Sequence, residues 1–454
     1  MIDRTDDDRR PRIVELQTAD GPVRAVQADG LVRARGIRYG RAARFAPAEP
    51  IRPWDGPVDA TEKGPAPPQQ PSRLELVMGS STRGLRQDED CLVVSVTAPA
   101  SGTSMPVMVW FHGGAYLTGS GESDKYDPTQ LALEGGVVVV NVSHRLGVLG
   151  YLTPRSVSDQ EQNLGLTDQV LALHWVHRNI SGYGGDPANV TVFGQSAGAD
   201  SIWAMLLSEG TTGLFRRAIL QSAPLGLRTG RDALRNAMLD VLDAHPELMG
   251  VQDSADQTAA VLATQATAVR AARRFGAAGA LPFAPALGGT LLPPPEQVLD
   301  QIGRVAPGVD LLLTHTRNDA LPFVLADPRI SRLAARRIAR STVIEQVDRL
   351  VTRRVFAKPA ASLAKTWRAA GGQAAHYQFD WATPDSGWGA CHCIELPFLF
   401  PGDDTWADAP MLGTTSIGDD PTDLVGASLR AAWAAFATSG QVPGTGHGLR
   451  LLTR

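Results

Sequence analysis

Short apolar runs recur along the chain at Leu92–Val96, Val107–Phe111, Val137–Val142, Val190–Phe193, Ala218–Gln221 and Leu311–Leu313. They are continuous rather than alternating, which is the pattern of strands buried on both faces of a sheet. The segments between them are longer and helical in spacing. Residues 167–180 read as a crossover helix, and Ala199 and Asp200 open a second helix running towards Leu207. Near the C-terminus, Asp420 and Pro421 suit a helix start. Val425, Leu429, Ala432, Trp433 and Phe436 then share one face, and Gly440 is a natural stop. Strands alternating with helices predict an α/β protein with a mostly parallel central sheet flanked by helices.

The rhythm breaks in three places. Residues 1 to about 20 read as a loose polar start, and Pro65–Pro71 reads as an extended surface loop. Residues 223–310 are Ala-rich, helical and poor in β-branched runs. They are expected to form a cap-like helical insertion over the end of the sheet, because such insertions build pockets there. No repeat or flexible linker divides the chain, so 1–454 reads as a single domain.

Composition narrows the function. The formal net charge of −4 over 454 residues leaves no basic surplus for nucleic acid. No apolar run reaches the roughly 18–20 residues of a membrane span. The polar stretch Met1–Arg12 lacks the apolar core of a secretory leader, so the expected location is cytoplasmic. Cys91, Cys391 and Cys393 are too few, and odd in number, for a disulfide framework. Lys is scarce while Arg and Ala are abundant, a bias of GC-rich genomes.

The sharpest chemical signal is Val190-Thr191-Val192-Phe193-Gly194-Gln195-Ser196-Ala197-Gly198: an apolar strand, Gly-x-Ser-x-Gly, then a helix. That context is a nucleophile elbow, whose tight turn needs small flanking residues and lifts the Ser196 hydroxyl clear of the sheet. Upstream, His112-Gly113-Gly114-Ala115-Tyr116 follows a strand. Backbone amides in such a small-residue loop can donate to a tetrahedral oxyanion. An activated serine also needs a base and an acid, in the chain order serine, acid, histidine. His245, His315, His376, His392 and His447 follow Ser196. His392, in a loop after a strand spanning 375–381, is favoured. His315, which follows the Leu311 strand, competes with it.

Further motifs run along the chain. They include Gly36-Ile37-Arg38-Tyr39, Trp54-Asp55-Gly56 and Glu89-Asp90-Cys91-Leu92. Asn163-Leu164-Gly165-Leu166, Gly184-Gly185-Asp186-Pro187 and Phe283-Ala284-Pro285 follow, then His392 with Glu395-Leu396-Pro397-Phe398. With these, the chain from about Gly36 to Gly440 resembles the type-B carboxylesterase family, relatives of the cholinesterases. The resemblance implies an α/β-hydrolase fold and serine-dependent hydrolysis of small carboxylic esters without a cofactor. It implies Ser196 as nucleophile, His392 as base and Asp319 as acid, in Thr316-Arg317-Asn318-Asp319. Gly114, Ala115 and Ala197 would form the oxyanion hole, with Gln195 and Ser222 supporting from behind.

The chain departs from the family's pattern at several points. Asp319 stands where the acid is usually Glu, and its shorter side chain requires the loop to sit closer. Ala115 stands where many relatives have a third Gly. Gln195 stands where many have Glu. The usual partner of Cys91 is missing, and residues 223–310 and the C-terminus are short for the family. Cys391 and Cys393 diverge on an extended segment, so no metal site is expected. Loss of the acidic neighbour predicts poor selectivity for choline esters, and a largely apolar pocket that gains from each buried methylene until it is full predicts a preference for neutral esters with short or medium acyl chains. The competing readings are a non-catalytic binding protein on this fold, or a lactonase, amidase or transacylase using the same acyl-enzyme route.

Overall fold

The computed structural model describes residues 10–453, apart from 159–161, 250–254, 328–329, 331–339, 403, 418–421, 443 and 447. An antiparallel meander comes first: β1 (Arg12–Gln17), β2 (Pro22–Ala28) and β3 (Leu31–Arg38). The apolar runs then supply β4 (Val93–Pro99), β5 (Met105–Phe111), β6 (Val138–Val142), β7 (Gly185–Gln195), β8 (Arg217–Gln221) and β9 (Asp310–Thr316). Two more strands, β10 (Ala374–Phe379) and β11 (Leu449–Thr453), close the chain. They form one sheet in the order β1-β2-β3-β4-β6-β5-β7-β8-β9-β10-β11, with Val58–Asp59 pairing beside β2. Pairing is parallel from β6 through to β10 and antiparallel at both margins.

The continuous apolar runs are explained by two cores. In β5, Val107, Val109 and Phe111 enter one core while Met108 and Trp110 enter the other, because successive side chains point to opposite faces. Helices α1 (Leu164–Asn179) and α2 (Ala197–Leu207) cover the first face. Residues 223–310 hold α3 (Asp232–Asp243), α4 (Ala255–Ala272) and short 3-10 turns. Beyond β9, α5 (Arg340–Thr352) passes through a π-helical turn, Arg353–Ala357, into a further helix. Helix α6 (Thr422–Ser439) covers the second face with Val425, Leu429, Trp433 and Phe436, and its C-terminus is followed by Gly440 at φ +75. The proposed start at Asp420 and Pro421 lies outside the described residues.

Two expectations are corrected. The polar start is not loose throughout, since β1 pairs with β2 over its full length. Val14 and Leu16 pack against the core while Ile13, Glu15 and Gln17 are exposed, so its apolar period rests on two residues. The Pro-rich stretch is not a surface loop either, because Pro65 to Gln69 are buried. The side chain of Gln69 bonds both the amide and the carbonyl of Gly119, which holds this segment beneath the loop that follows β5.

Candidate active site

Parallel pairing brings the carboxyl ends of β5, β7, β8, β9 and β10 to one edge of the sheet, where α/β proteins place their ligands. The segments leaving these strands carry Gly113 to Ala115, Ser196, Ser222, Asp319 and His392. Ser196 sits between β7 and α2 at φ 56 and ψ −120, a backbone conformation that costs a non-glycine residue about 1–3 kcal/mol. The turn is held by the Ser196 amide, which donates to the Gln221 carbonyl at 2.8 Å. Its tightness is visible at Gly198, where a Cβ would lie 1.9 Å from the Phe111 carbonyl oxygen.

The loop after β5 comes close to this elbow. A Cβ on Gly113 would lie 3.2 Å from the Ser196 Cβ. Ala115 holds a left-handed conformation at φ 57, which a glycine would adopt without strain. His112 is buried and its Nδ1 lies 2.8 Å from the Gly113 carbonyl, so it acts as the donor. Burial pushes its pKa down to about 4, which keeps the ring neutral. No acceptor among the described residues is bonded to the Gly114 or Ala115 amide. The Ala197 amide belongs to the first turn of α2, where amides have no intrahelical partner.

His392 and Asp319 are fully buried and in contact, with Nδ1 to Oδ1 at 2.5 Å. The other carboxylate oxygen accepts from Ser222 Oγ at 2.8 Å and from the Thr316 amide at 3.0 Å. The short Asp reaches because its loop is bonded directly to the histidine loop. The Asn318 amide donates to the Ala390 carbonyl at 2.9 Å, and the Ala390 amide donates to Asn318 Oδ1 at 3.2 Å. Helix α5 braces the same loop through Asp348 to Asn318 and Thr352 to the Ala320 amide.

With the Nδ1 proton directed at Asp319, Nε2 of His392 carries the lone pair. It accepts from the Gln195 side-chain amide at 3.1 Å, a bond that an ionised Glu could not donate. Glu395 lies buried behind the pair. Its Oε1 accepts from Gln221, whose own side-chain oxygen accepts from Trp433. Burial, aided by the charge of Asp319, pushes its pKa up to about 7.

The other histidines stand elsewhere. His315, the competitor, is bonded to His376 at 2.9 Å. His245 pairs with Glu247 at the surface. His447 lies outside the described residues. All three cysteines are free and buried, and burial raises their pKa values. Among the described residues no group of His, Cys, Asp or Glu is placed to hold a metal. No described helix is long and apolar enough to cross a membrane.

Ser196, Gly114 and Ala115 open into a cavity of about 1170 Å³. Its lining includes Leu227, Gln265, Val269 and Leu281 from the 223–310 stretch. A second part comes from residues that the sequence reading did not single out: Phe323, Val324, Val347, Val351, Val355 and Phe356. The rings of Phe323 and Phe356 pack 5.1 and 5.5 Å from that of His392. The signal was present in Val347, Val351 and Val355, an apolar stripe at i, i+4 and i+8 that runs from α5 into the π-helical turn.

The sheet order, the elbow and the loops at its carboxyl edge define an α/β hydrolase. A model of the Carboxylesterase family matches residues 13–343. The para-nitrobenzyl esterase of Bacillus subtilis is 34% identical, over 94% of this chain and 90% of that protein. A Rhodococcus erythropolis protein named probable N-octanoylanthranilate hydrolase is 41% identical, over 90% of this chain and 89% of its own length. A solved para-nitrobenzyl esterase structure superposes with a TM-score of 0.77 at 30% identity, covering 97% of each chain. The chain therefore belongs to the carboxylesterase family, and it is a carboxylic ester hydrolase.

Proposed function

We propose that the chain hydrolyses esters through an acyl-enzyme on Ser196. His392 Nε2 takes the serine proton as Oγ attacks the carbonyl carbon. Asp319 stabilises the imidazolium that forms, and His392 then gives the proton to the leaving alcohol. The amides of Gly114, Ala115 and Ala197 receive the developing oxyanion. Water repeats the sequence on the acyl-enzyme and releases the acid. Gln195 yields Nε2 to Ser196 when substrate arrives, and Ser222 keeps Asp319 aligned. We further propose that the 223–310 insertion caps the site together with Phe323, Val324 and the segment from Val347 to Phe356.

The observation that carries this reading is the buried chain from Ser222 through Asp319 to His392, beside a strained serine that opens into a large cavity. An organophosphate should label Ser196 stoichiometrically. Ser196→Ala should lower turnover of a para-nitrophenyl ester by about 10⁴–10⁶-fold, since such residues act as a unit. Labelling elsewhere, or undiminished turnover, refutes the reading. The 41% identical relative named for an N-acyl anthranilate favours a second reading, cleavage of aromatic amides by the same acyl-enzyme route.

A further inference from the structure

The cavity over Ser196 has two chemical characters. Phe323, Val324, Val351 and Val355 give one part of its lining an apolar surface. The 70–74 loop and the end of α4 give another part Arg73, Arg270 and Arg273. The hydrogen bonds these arginines make run to neutral acceptors, Ala280 O for Arg73 at 3.0 Å and Thr267 Oγ1 for Arg270 at 2.8 Å. All three arginines are solvent-exposed where they border the cavity; partial desolvation and then the neighbouring charge of Arg273 hold the Arg73 guanidinium below its ordinary value, so these two cations feel each other. Asp327 is the carboxylate among the described lining residues. Like charges held together beside a reaction site repel each other unless a counter-charge joins them.

We propose that the natural substrate carries a carboxylate, bound by Arg73, Arg270 and Arg273, with an apolar chain on the other side of the scissile carbonyl lying against Phe323, Val324, Val351 and Val355. This rests on Ser196 being the nucleophile and extends the neutral-ester expectation to amphipathic anions. Guanidinium groups suit this ligand because their planar forks match a carboxylate.

The test uses matched substrate pairs. The first is 3-carboxyphenyl octanoate against 3-carbamoylphenyl octanoate. The second is the mono-para-nitrophenyl ester of suberic acid against that of its monoamide. Each pair differs in charge and little in shape, so the kcat/KM ratio within a pair corrects for general changes in turnover. The wild type should favour the carboxylate in at least one pair by roughly tenfold, the scale of a hydrogen bond to a charged group. That ratio should shrink with added salt. It should fall towards one in Arg270→Gln/Arg273→Gln and be partly kept in Arg270→Lys/Arg273→Lys. Ratios near one in both pairs, or ratios the double variant leaves unchanged, overturn the inference while the carboxamide turnover leaves the esterase reading standing. No turnover of any of these esters, with no labelling of Ser196, overturns both.

Discussion

Glu395→Gln isolates one buried ionisation. Glu395 is nearly inaccessible, with burial and Asp319 pushing its pKa up to about 7 against the 4.5 of an ordinary Glu. Below about pH 4.5 the group is protonated both folded and unfolded, so it costs nothing. As pH rises from 4.5 to 7 the unfolded chain releases the proton while the folded chain keeps it. The folded state then binds more protons, and stability falls with pH. Above 7 the penalty is complete, at about 3 kcal/mol. Gln keeps the size of the side chain and the oxygen that accepts from Gln221, but it cannot ionise. Urea unfolding of both proteins at pH 5 and pH 8.5 measures the effect, with other titrating groups cancelling in the difference. The stability of the variant relative to wild type should rise by a few kcal/mol between the two pH values, in the variant's favour. A difference that stays constant refutes the argument that burial raises the Glu395 pKa in the folded protein.

Other outcomes follow from the same geometry. Asp319→Asn should keep the fold and lose about 10³–10⁴ in kcat, because it withdraws the charge facing the His392 Nδ1; near-full activity would move the role to another carboxylate. Gly198→Ala places a Cβ 1.9 Å from a backbone oxygen, so it should lower the melting temperature and abolish turnover together, checked by thermal unfolding beside an ester assay. Choline esters should gain no advantage over their tert-butyl isosteres, since Gln195 is neutral and the cavity lining carries Arg73, Arg270 and Arg273. A preference for the charged ester above about tenfold, or ~1.4 kcal/mol, would reveal an anionic or aromatic subsite.

Local chemistry along the chain was enough to read the central strands, because a strand buried on both faces must be continuously apolar whatever its neighbours are. It was enough for the elbow too, since the strand, Gly-x-Ser-x-Gly and the helix follow one another directly along the chain. The edge strand β1 escaped, because its pairing with β2 is settled by tertiary contact and its apolar period rests on Val14 and Leu16 alone. Pro65–Gln69 escaped for the opposite reason: prolines lack amide donors wherever they lie, and only the fold buries them. Which of His315 and His392 meets Asp319 was not local either. Both follow strands, and only the bonded loops at 318 and 390 carry His392 to Asp319, while β9 and β10 pair His315 with His376. The cavity belongs wholly to the tertiary structure. Arg73 lies far in sequence from Arg270 and Arg273, as Leu281 does from Val355, and sequence spacing carries no information about which loops converge over Ser196.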